Sequence, residues 1–138
     1  MRCLIDTNIF VFLASEADRL KANVRELLSD YDTQINMSIE SVKELIIAFR
    51  SKKLLAKKWK SEVEILPSIT DEYQISVLPL GLEHLRTFAR LKPDSAAGHN
   101  DPSDLMIISH AITEKIPLIS SDSRFPFYRN QGLDLIED

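Results

Sequence analysis

Apolar and polar residues alternate along the chain in blocks that predict short strands separated by helices. Four short segments rich in apolar residues, at 2–5, 34–37, 75–78 and 117–120, have the length of buried strands, and 133–136 is a candidate fifth. Strands separated by helices pair in parallel, and the helices then cover both faces of the sheet. The pattern therefore predicts an α/β fold with three layers, α/β/α, around a short, mainly parallel sheet of four or five strands.

Apolar residues spaced three and four apart predict the helices between these strands. Ser38 is a suitable N-cap, and Pro102 suits the first position of a helix. The helix at 81–91 is expected to turn Leu82, Leu85, Phe88 and Ala89 toward the core. The predicted helices span 8–15, 18–29, 38 to about 50, about 54 to Pro67 or beyond, 81–91, and 102 to about 115.

Length and composition favour one domain over residues 1–138, with a core of its own. No apolar run approaches the roughly 20 residues that span a bilayer, and Asp6 interrupts the apolar N-terminus where a signal peptide would continue. Cys3 is the single cysteine, so an intrachain disulfide is impossible. We expect a cytoplasmic protein without a membrane segment. The net charge of −4 means that nucleic acid would need a local basic patch or a bound metal ion.

Acidic residues follow the predicted strands, at the edge where open parallel sheets bind ligands. Asp6 comes directly after the first strand, and Asp122 comes after the fourth. Glu44 lies in the helix after the second strand, and Asp104 lies on the apolar side of the helix that Pro102 begins. Simpler roles exist for each, namely a helix cap, a turn, a capping box with Ser41, or a favourable charge in a first helical turn. Asp101, directly before Pro102, has the position of an N-cap.

Four carboxylates at one sheet edge would repel one another and raise one another's pKa values. A hard divalent cation with oxygen ligands, Mg²⁺ or Mn²⁺, removes that repulsion. One cysteine and three scattered histidines, His84, His99 and His110, predict no zinc site. The sequence also lacks a glycine-rich phosphate loop and a Ser-His-Asp arrangement.

Four motifs resemble the PIN domain family, and most of all the VapC-type toxin ribonucleases of toxin–antitoxin pairs. Their order and spacing span nearly the whole chain, and Ser120 takes the place of a threonine in the last of them. Many relatives have Phe and Arg on either side of the third acid, where this chain has Ser103 and Leu105. The motifs are LIDTN at 4–8, SIESVKEL at 38–45, HNDPSDLMIISHA at 99–111 and LISSDSRF at 118–125.

The resemblance implies a PIN-like, Rossmann-like fold and metal-dependent cleavage of RNA with Mg²⁺ or Mn²⁺. Asp6 and Asp104 would be the main metal ligands, and Glu44 and Asp122 would complete the site or orient the attacking water. Asn8, Ser120 and Asp101 are candidates to support these four acids. The family also implies an antitoxin protein as partner and a homodimer.

A basic segment at 50–60, RSKKLLAKKWK, holds six basic residues and no acid. It is either a solvated helix face or a local positive surface for RNA phosphates, with Lys57, Lys58 and Lys60 as candidate contacts. Trp59 could stack on a base or pack inside the protein.

Two other functions remain open at this point. A catalytically silent PIN scaffold could bind RNA or a protein partner without cleaving anything. An aspartate-dependent phosphatase or phosphotransferase would use Asp6 as nucleophile, but such enzymes want a second Asp where Asn8 stands and a late catalytic lysine that we cannot place. A phosphoacceptor receiver domain fits less well, because it expects an early acid pair.

Overall fold

The computed structural model describes residues 1–54 and 58–138, which contain a sheet of five parallel strands. The strand order is β3-β2-β1-β4-β5, and every neighbouring pair is parallel. The predicted α/β/α fold with a short parallel sheet is confirmed, and the fifth strand is present. The strands are β1 Arg2–Ile5, β2 Gln34–Ser38, β3 Ser76–Leu78, β4 Leu118–Ser120 and β5 Leu135–Glu137.

Helices and short helical turns connect the strands. Among the described residues, none of these helices is long and apolar enough to cross a bilayer. Short 3₁₀ or π turns cover Ala17–Arg19, Glu62–Glu64, Ser68–Glu72 and Phe125–Gln131. The α-helices are α1 Thr7–Ser15, α2 Ala22–Ser29, α3 Ile39–Arg50, the single turn α4 Ile65–Pro67, α5 Leu82–Arg90 and α6 Pro102–Glu114.

Two apolar clusters bury the two faces of the sheet, because side chains alternate along each strand. Along β1, Cys3 and Ile5 belong to the first cluster, whereas Leu4 between them belongs to the second. Helices α1, α2 and α3 contribute to the first cluster. Helix α6 and the turn at Phe125–Gln131 contribute to the second. This alternation produces the three layers.

Two predicted helices are interrupted in the structure. The segment 18–29 is a 3₁₀ turn followed by α2, and Leu20 between them is extended and buried. The expected helix from Leu54 toward Pro67 is wrong for the described part. There, Glu64 accepts hydrogen bonds from the Lys60 and Ser61 N–H groups. A separate helical turn therefore begins after Ser61, and it does not continue a helix from Leu54. Residues 55–57 of that prediction lie outside the described residues.

The predicted inward face of α5 is also wrong, because Leu82 and Leu85 are 69% and 50% exposed. Ala89 is exposed too, and Phe88 is only partly buried. The inward face carries polar residues that have partners on α6. Thr87, for example, accepts a hydrogen bond of 2.7 Å from Thr113. Polar groups satisfied across a helix pair thus outweigh the apolar periodicity of this short helix.

Candidate active site

The strand order reverses direction between β1 and β4, which lie side by side at the centre of the sheet. In open parallel sheets, ligands bind at such a switch point, beyond the carboxyl ends of the strands. Asp6 follows β1 directly, and its N–H donates to the carbonyl of Ile119 in β4 at 2.9 Å. The sequence predicts the four acids at this point of the sheet.

Asp6 caps helix α1 and also contacts β4 through its second carboxylate oxygen. Its Oδ1 caps α1 by accepting from the Thr7 N–H at 2.8 Å, and its Oδ2 accepts from the Ser120 hydroxyl at 2.7 Å. The residue is 6% exposed. Burial raises the pKa of Asp6 to about 6, although the hydrogen bonds from Ser120 and Thr7 act in the opposite direction. The carboxylate is held firmly at the end of β1.

Glu44 approaches Asp6 from α3. The Thr7 hydroxyl donates to its Oε1 at 2.6 Å, next to the amide that Asp6 accepts from. Burial raises the pKa of Glu44 to about 7, the Thr7 hydrogen bond lowers it, and the charges of Asp6 and Asp104 raise it further. Helix α3 begins at Ile39 with Ser38 as its N-cap, so a capping box from Ser41 is excluded.

Asp104 lies in the first turn of α6, at the place that its apolar helical neighbours predict. Asp101 caps this helix, since its Oδ1 accepts from the N–H groups of Ser103 and Asp104 at 2.9 and 3.2 Å. The cap thereby fixes the start of the helix that carries Asp104. Burial is the main cause that raises the pKa of Asp104, and the hydrogen bond with His99 opposes it.

Arg124 joins the third and fourth acids, and sequence reasoning missed it. Its Nη2 lies 2.8 Å from Asp122 Oδ2 and 3.3 Å from Asp104 Oδ2, while its Nε donates to Asp122 Oδ1 at 3.1 Å. Burial alone would raise the pKa of Asp122, but the hydrogen bonds and charge of Arg124 outweigh it and lower the pKa. The hydrogen bond to Asp122 in turn raises the pKa of Arg124. The signal was present in SSDSRF, where an arginine follows the acid by two residues.

His99 is the second group that sequence reasoning missed. It is completely buried; its Nε2 lies 3.1 Å from Asp104 Oδ2, and its Nδ1 lies 2.8 Å from the Tyr128 hydroxyl. Tyr128 thereby fixes the ring, and the ring fixes the carboxylate. The motif HNDPSD places this histidine five residues before the acid, which is the available signal.

The two departures from the family pattern have separate consequences. Ser103 donates to Glu40 Oε2 at 3.0 Å, which links the start of α6 to the start of α3. Leu105 is 7% exposed and packs in the second apolar cluster. Arg124, from the segment after β4, supplies a guanidinium to the acids instead.

The predicted supporting residues occupy different environments. Ser120 contacts Asp6, and its Oγ also accepts from the Asp122 N–H at 3.1 Å. Asn8 is exposed, and in the described part of the chain it is Thr7 that bonds to Glu44. The supporting role of Asn8 stays a prediction.

The basic segment is described only in part. Lys57 lies outside the described residues, Lys60 is exposed, and Lys58 donates to Glu72 at 2.6 Å and to the Tyr73 hydroxyl at 3.1 Å. Trp59 is 5% exposed and stacks on Phe10 with ring centroids 6.1 Å apart. Of the two explanations for Trp59, the packed one is correct.

The chemistry of the acidic donors fits a hard divalent cation. The four acids come from four segments, and the charges of neighbouring acids add to the burial that raises the pKa values of Asp6, Glu44 and Asp104. Carboxylate oxygens are the ligands that Mg²⁺ and Mn²⁺ prefer. Arg124 bonds to both Asp104 and Asp122, and the Ser120 hydroxyl links Asp6 to the Asp122 N–H. Among the described residues, the acids do not form a group of three whose donor atoms all lie within 4.8 Å of one another.

The histidines are less scattered than predicted. In the described part of the chain, His84, His110 and Glu114 form a group whose donor atoms all lie within 4.8 Å of one another. This group lies between α5 and α6 and contains none of the four acids.

Comparisons with solved structures place this fold among those of toxin–antitoxin complexes. The chain is similar to a chain of VapBC2 from Rickettsia felis bound to a DNA fragment from their promoter (TM-score 0.74, 22% identity, covering 99% of this chain and 98% of that chain). It is also similar to VapBC-1 from nontypeable Haemophilus influenzae, with a TM-score of 0.71, 19% identity and the same coverage of both chains. DNA-bound VapBC from Salmonella typhimurium follows at a TM-score of 0.68 and 17% identity, again over 99% and 98% of the two chains.

At sequence identities of 17–22%, these similarities show that the fold is shared, and they show nothing further. A comparison with curated protein sequences finds no significant match. The sequence model of the PIN domain, however, matches residues 3–131. This range holds the strand end at Asp6, the helix with Glu44, the capped helix with Asp104 and the turn with Asp122, and the chain belongs to the PIN domain family.

Proposed function

We propose that the protein is a metal-dependent endoribonuclease that hydrolyses phosphodiester bonds of RNA, and that it is the toxin of a toxin–antitoxin pair. One observation carries the proposal: Asp6, Glu44, Asp104 and Asp122 reach the switch point of the sheet from four segments, and each accepts a hydrogen bond there. A helix cap or a surface acid alone does not require this convergence. The membership in the PIN family supports the same reaction.

Each residue of the site has its own role in this proposal. Asp6 and Asp104 hold Mg²⁺ or Mn²⁺, which supplies charge stabilisation and an activated water when it is bound. Glu44 and Asp122 complete the ligand set or orient the attacking water. Ser120 and His99 fix the direction of the carboxylates that they contact. Arg124 keeps the third and fourth acids together by neutralising part of their charge.

The partners in the proposal are RNA, an antitoxin protein and a second copy of the chain, in the cytoplasm. The neighbours in structural comparisons are complexes named VapBC, which favours an antitoxin partner. Lys57, Lys58 and Lys60 remain candidate RNA contacts. For Lys58 to contact a phosphate, the phosphate would have to replace Glu72 as its partner.

Removal of divalent metal tests the proposed reaction directly. Purified protein with labelled RNA and Mn²⁺ or Mg²⁺ is expected to cleave the RNA internally, and excess EDTA is expected to stop cleavage. Without the metal ion, the acids cannot stabilise the charge that develops on the phosphate. Products are resolved on denaturing gels, and restored cleavage after Mg²⁺ is added back is the control. Cleavage that continues in EDTA would contradict the metal mechanism, and lack of cleavage of every RNA would favour the silent scaffold.

Replacing Ser120 with Ala tests the support of Asp6. We expect RNA cleavage or Mg²⁺ affinity to fall about 10- to 100-fold, since the hydroxyl that orients Asp6 and accepts from the Asp122 N–H is lost. Ser120→Thr keeps the hydroxyl and is expected to retain most activity. Ser95→Ala, at an exposed position, is the matched control. Equal rates for the Ala variant and the wild type would show that Asp6 needs no such support.

A further inference from the structure

Two histidines that the proposed ribonuclease chemistry does not use meet between α5 and α6. His84 lies in the first turn of α5, and His110 lies in α6 with Glu114 one helical turn after it. The two imidazole rings have centroids 4.5 Å apart. With Glu114, their donor atoms all lie within 4.8 Å of one another. Two helices therefore direct two nitrogens and one carboxylate toward a common point.

In each ring, one nitrogen has a hydrogen-bond partner and the other has none among the described residues. His110 is completely buried, and its Nδ1 lies 2.7 Å from the Ser38 hydroxyl. His84 accepts at Nδ1 from the Gly81 N–H at 2.9 Å. Among the described residues, neither Nε2 atom has a hydrogen-bond partner, although both are buried. Buried polar atoms without partners are rare because they lose their hydration, so a pair of them facing one carboxylate requires an explanation.

We propose that His84, His110 and Glu114 form a binding site for a divalent transition metal ion of the zinc type, apart from the acidic site at the sheet edge. Two imidazoles and one carboxylate are a donor set that Zn²⁺ accepts, with a water in the fourth position. Mg²⁺ prefers oxygen ligands, so the two sites select different ions. The proposal is independent of the ribonuclease activity.

The geometry requires only small movements. With metal–ligand bonds of about 2.1 Å, tetrahedral donors lie roughly 3.4 Å apart. His84 Nε2 and Glu114 Oε2 are already 3.5 Å apart, and all donor atoms of the group lie within 4.8 Å of one another. Closing at most about 1.4 Å is within the reach of side-chain rotations, particularly for half-buried Glu114.

His110 can bind a metal ion with its ring protons as they are, whereas His84 must first move a proton from one ring nitrogen to the other. Burial, followed by the neighbouring charge of His84, lowers the pKa of His110 to about 4, so His110 is neutral near pH 7, as a metal ligand must be. If its Nδ1–H donates to Ser38, the Nε2 lone pair is free. At His84, the Gly81 hydrogen bond places the proton on Nε2 in the metal-free protein. Metal binding would move that proton to Nδ1 and release the exposed Gly81 N–H to water.

Among the described residues, the carboxylate next to the two rings supplies negative charge to the site. Glu114 is the carboxylate that faces both rings, and Ser38 and Thr87 present hydroxyls nearby on β2 and α5. Binding would join α5 to α6 by coordinate bonds, where the packing is otherwise partly polar. We therefore expect the ion to stabilise the helix pair.

Zn²⁺ alone is the probe, added to the full chain in the presence of excess Mg²⁺ to occupy the acidic site. Equilibrium dialysis with metal analysis is expected to give one bound Zn²⁺ per chain, and thermal unfolding is expected to move to higher temperature. His84→Gln and Glu114→Gln are each expected to weaken Zn²⁺ binding by at least about tenfold, as loss of a ligand should do. Glu83→Gln, on the exposed side of the same helix, is the matched control.

Imidazole ¹⁵N NMR locates the ion without any reference to activity. Zn²⁺ is expected to shift the ring nitrogens of His84 and His110 and to leave those of His99, beside Asp104, unchanged. Shifts of His99 alone would mean that Zn²⁺ binds the acids, and this result overturns the proposal. Equal Zn²⁺ affinity in His84→Gln, Glu114→Gln and the wild type would overturn it as well. Failure of RNA cleavage leaves both measurements unaffected.

Discussion

Asp104→Asn is expected to lower the rate of RNA cleavage by roughly 10²- to 10³-fold or more, which is the loss caused by removing one electrostatic group from a preorganised site. The amide keeps the size of the side chain and its place at the start of α6, but it removes the charge that would hold the metal ion. The fold is expected to persist, because Asp101 still caps the helix. Single-turnover cleavage with Mn²⁺, together with circular dichroism and thermal unfolding, measures both outcomes.

The matched substitutions make this result specific. Asp6→Asn is expected to have the same effect, and Asp18→Asn, at an exposed position, is expected to leave the rate unchanged. Full activity in a folded Asp104→Asn protein would remove this residue from the mechanism. A loss of rate that accompanies a loss of structure would instead show that Asp104 supports the fold.

Phe10→Ala is expected to lower the free energy of unfolding by about 3–5 kcal/mol. Phe10 is completely buried in the first apolar cluster, where it stacks on Trp59 and meets the edge of Tyr73 at a centroid distance of 5.4 Å. Removing the ring would leave a cavity that the surrounding side chains fill only in part. Urea unfolding followed by fluorescence measures the change, in EDTA so that bound metal does not contribute.

Phe127→Ala is the control for the aromatic substitution. Phe127 is 43% exposed, so the same change is expected to cost less than about 1 kcal/mol. A cost for Phe10→Ala as small as that for Phe127→Ala would contradict the assignment of Phe10 to a packed core. It would also weaken the conclusion that Trp59 has a packing role.

The strands and the order of the acids could be predicted from the sequence because their causes are local. In the run RCLI the last three residues are apolar at successive positions, as expected for a short strand that is buried on both faces. Asp6 directly after it and Asp122 two residues after β4 follow from the rule that parallel sheets bind ligands at their carboxyl edge. Ser38 and Asp101 could be recognised as N-caps for the same local reason.

The inward face of α5 and the end of the basic segment could not be predicted. The apolar pattern of α5 favoured Leu82 and Leu85. The structure instead buries Thr87, which bonds to Thr113 on α6, and partly buries His84, which lies 3.5 Å from Glu114. Glu64 begins a helical turn after Ser61, where the residue pattern suggested a continuous helix. In both cases a partner outside the local pattern decided the conformation.

The sequence by itself predicted the family, the five strands and most of the helices, and it indicated where the four candidate acids lie among them, because these depend on residue type and spacing within a few positions. Only the tertiary structure placed Arg124 between Asp104 and Asp122 and His99 within hydrogen-bond distance of Asp104. It also placed the donor atoms of His84, His110 and Glu114 close together. These contacts depend on the angles at which separate elements pack. A hydrogen bond or a metal site needs donor atoms placed to within about half an ångström, and no local pattern of residues specifies distances between helices that accurately.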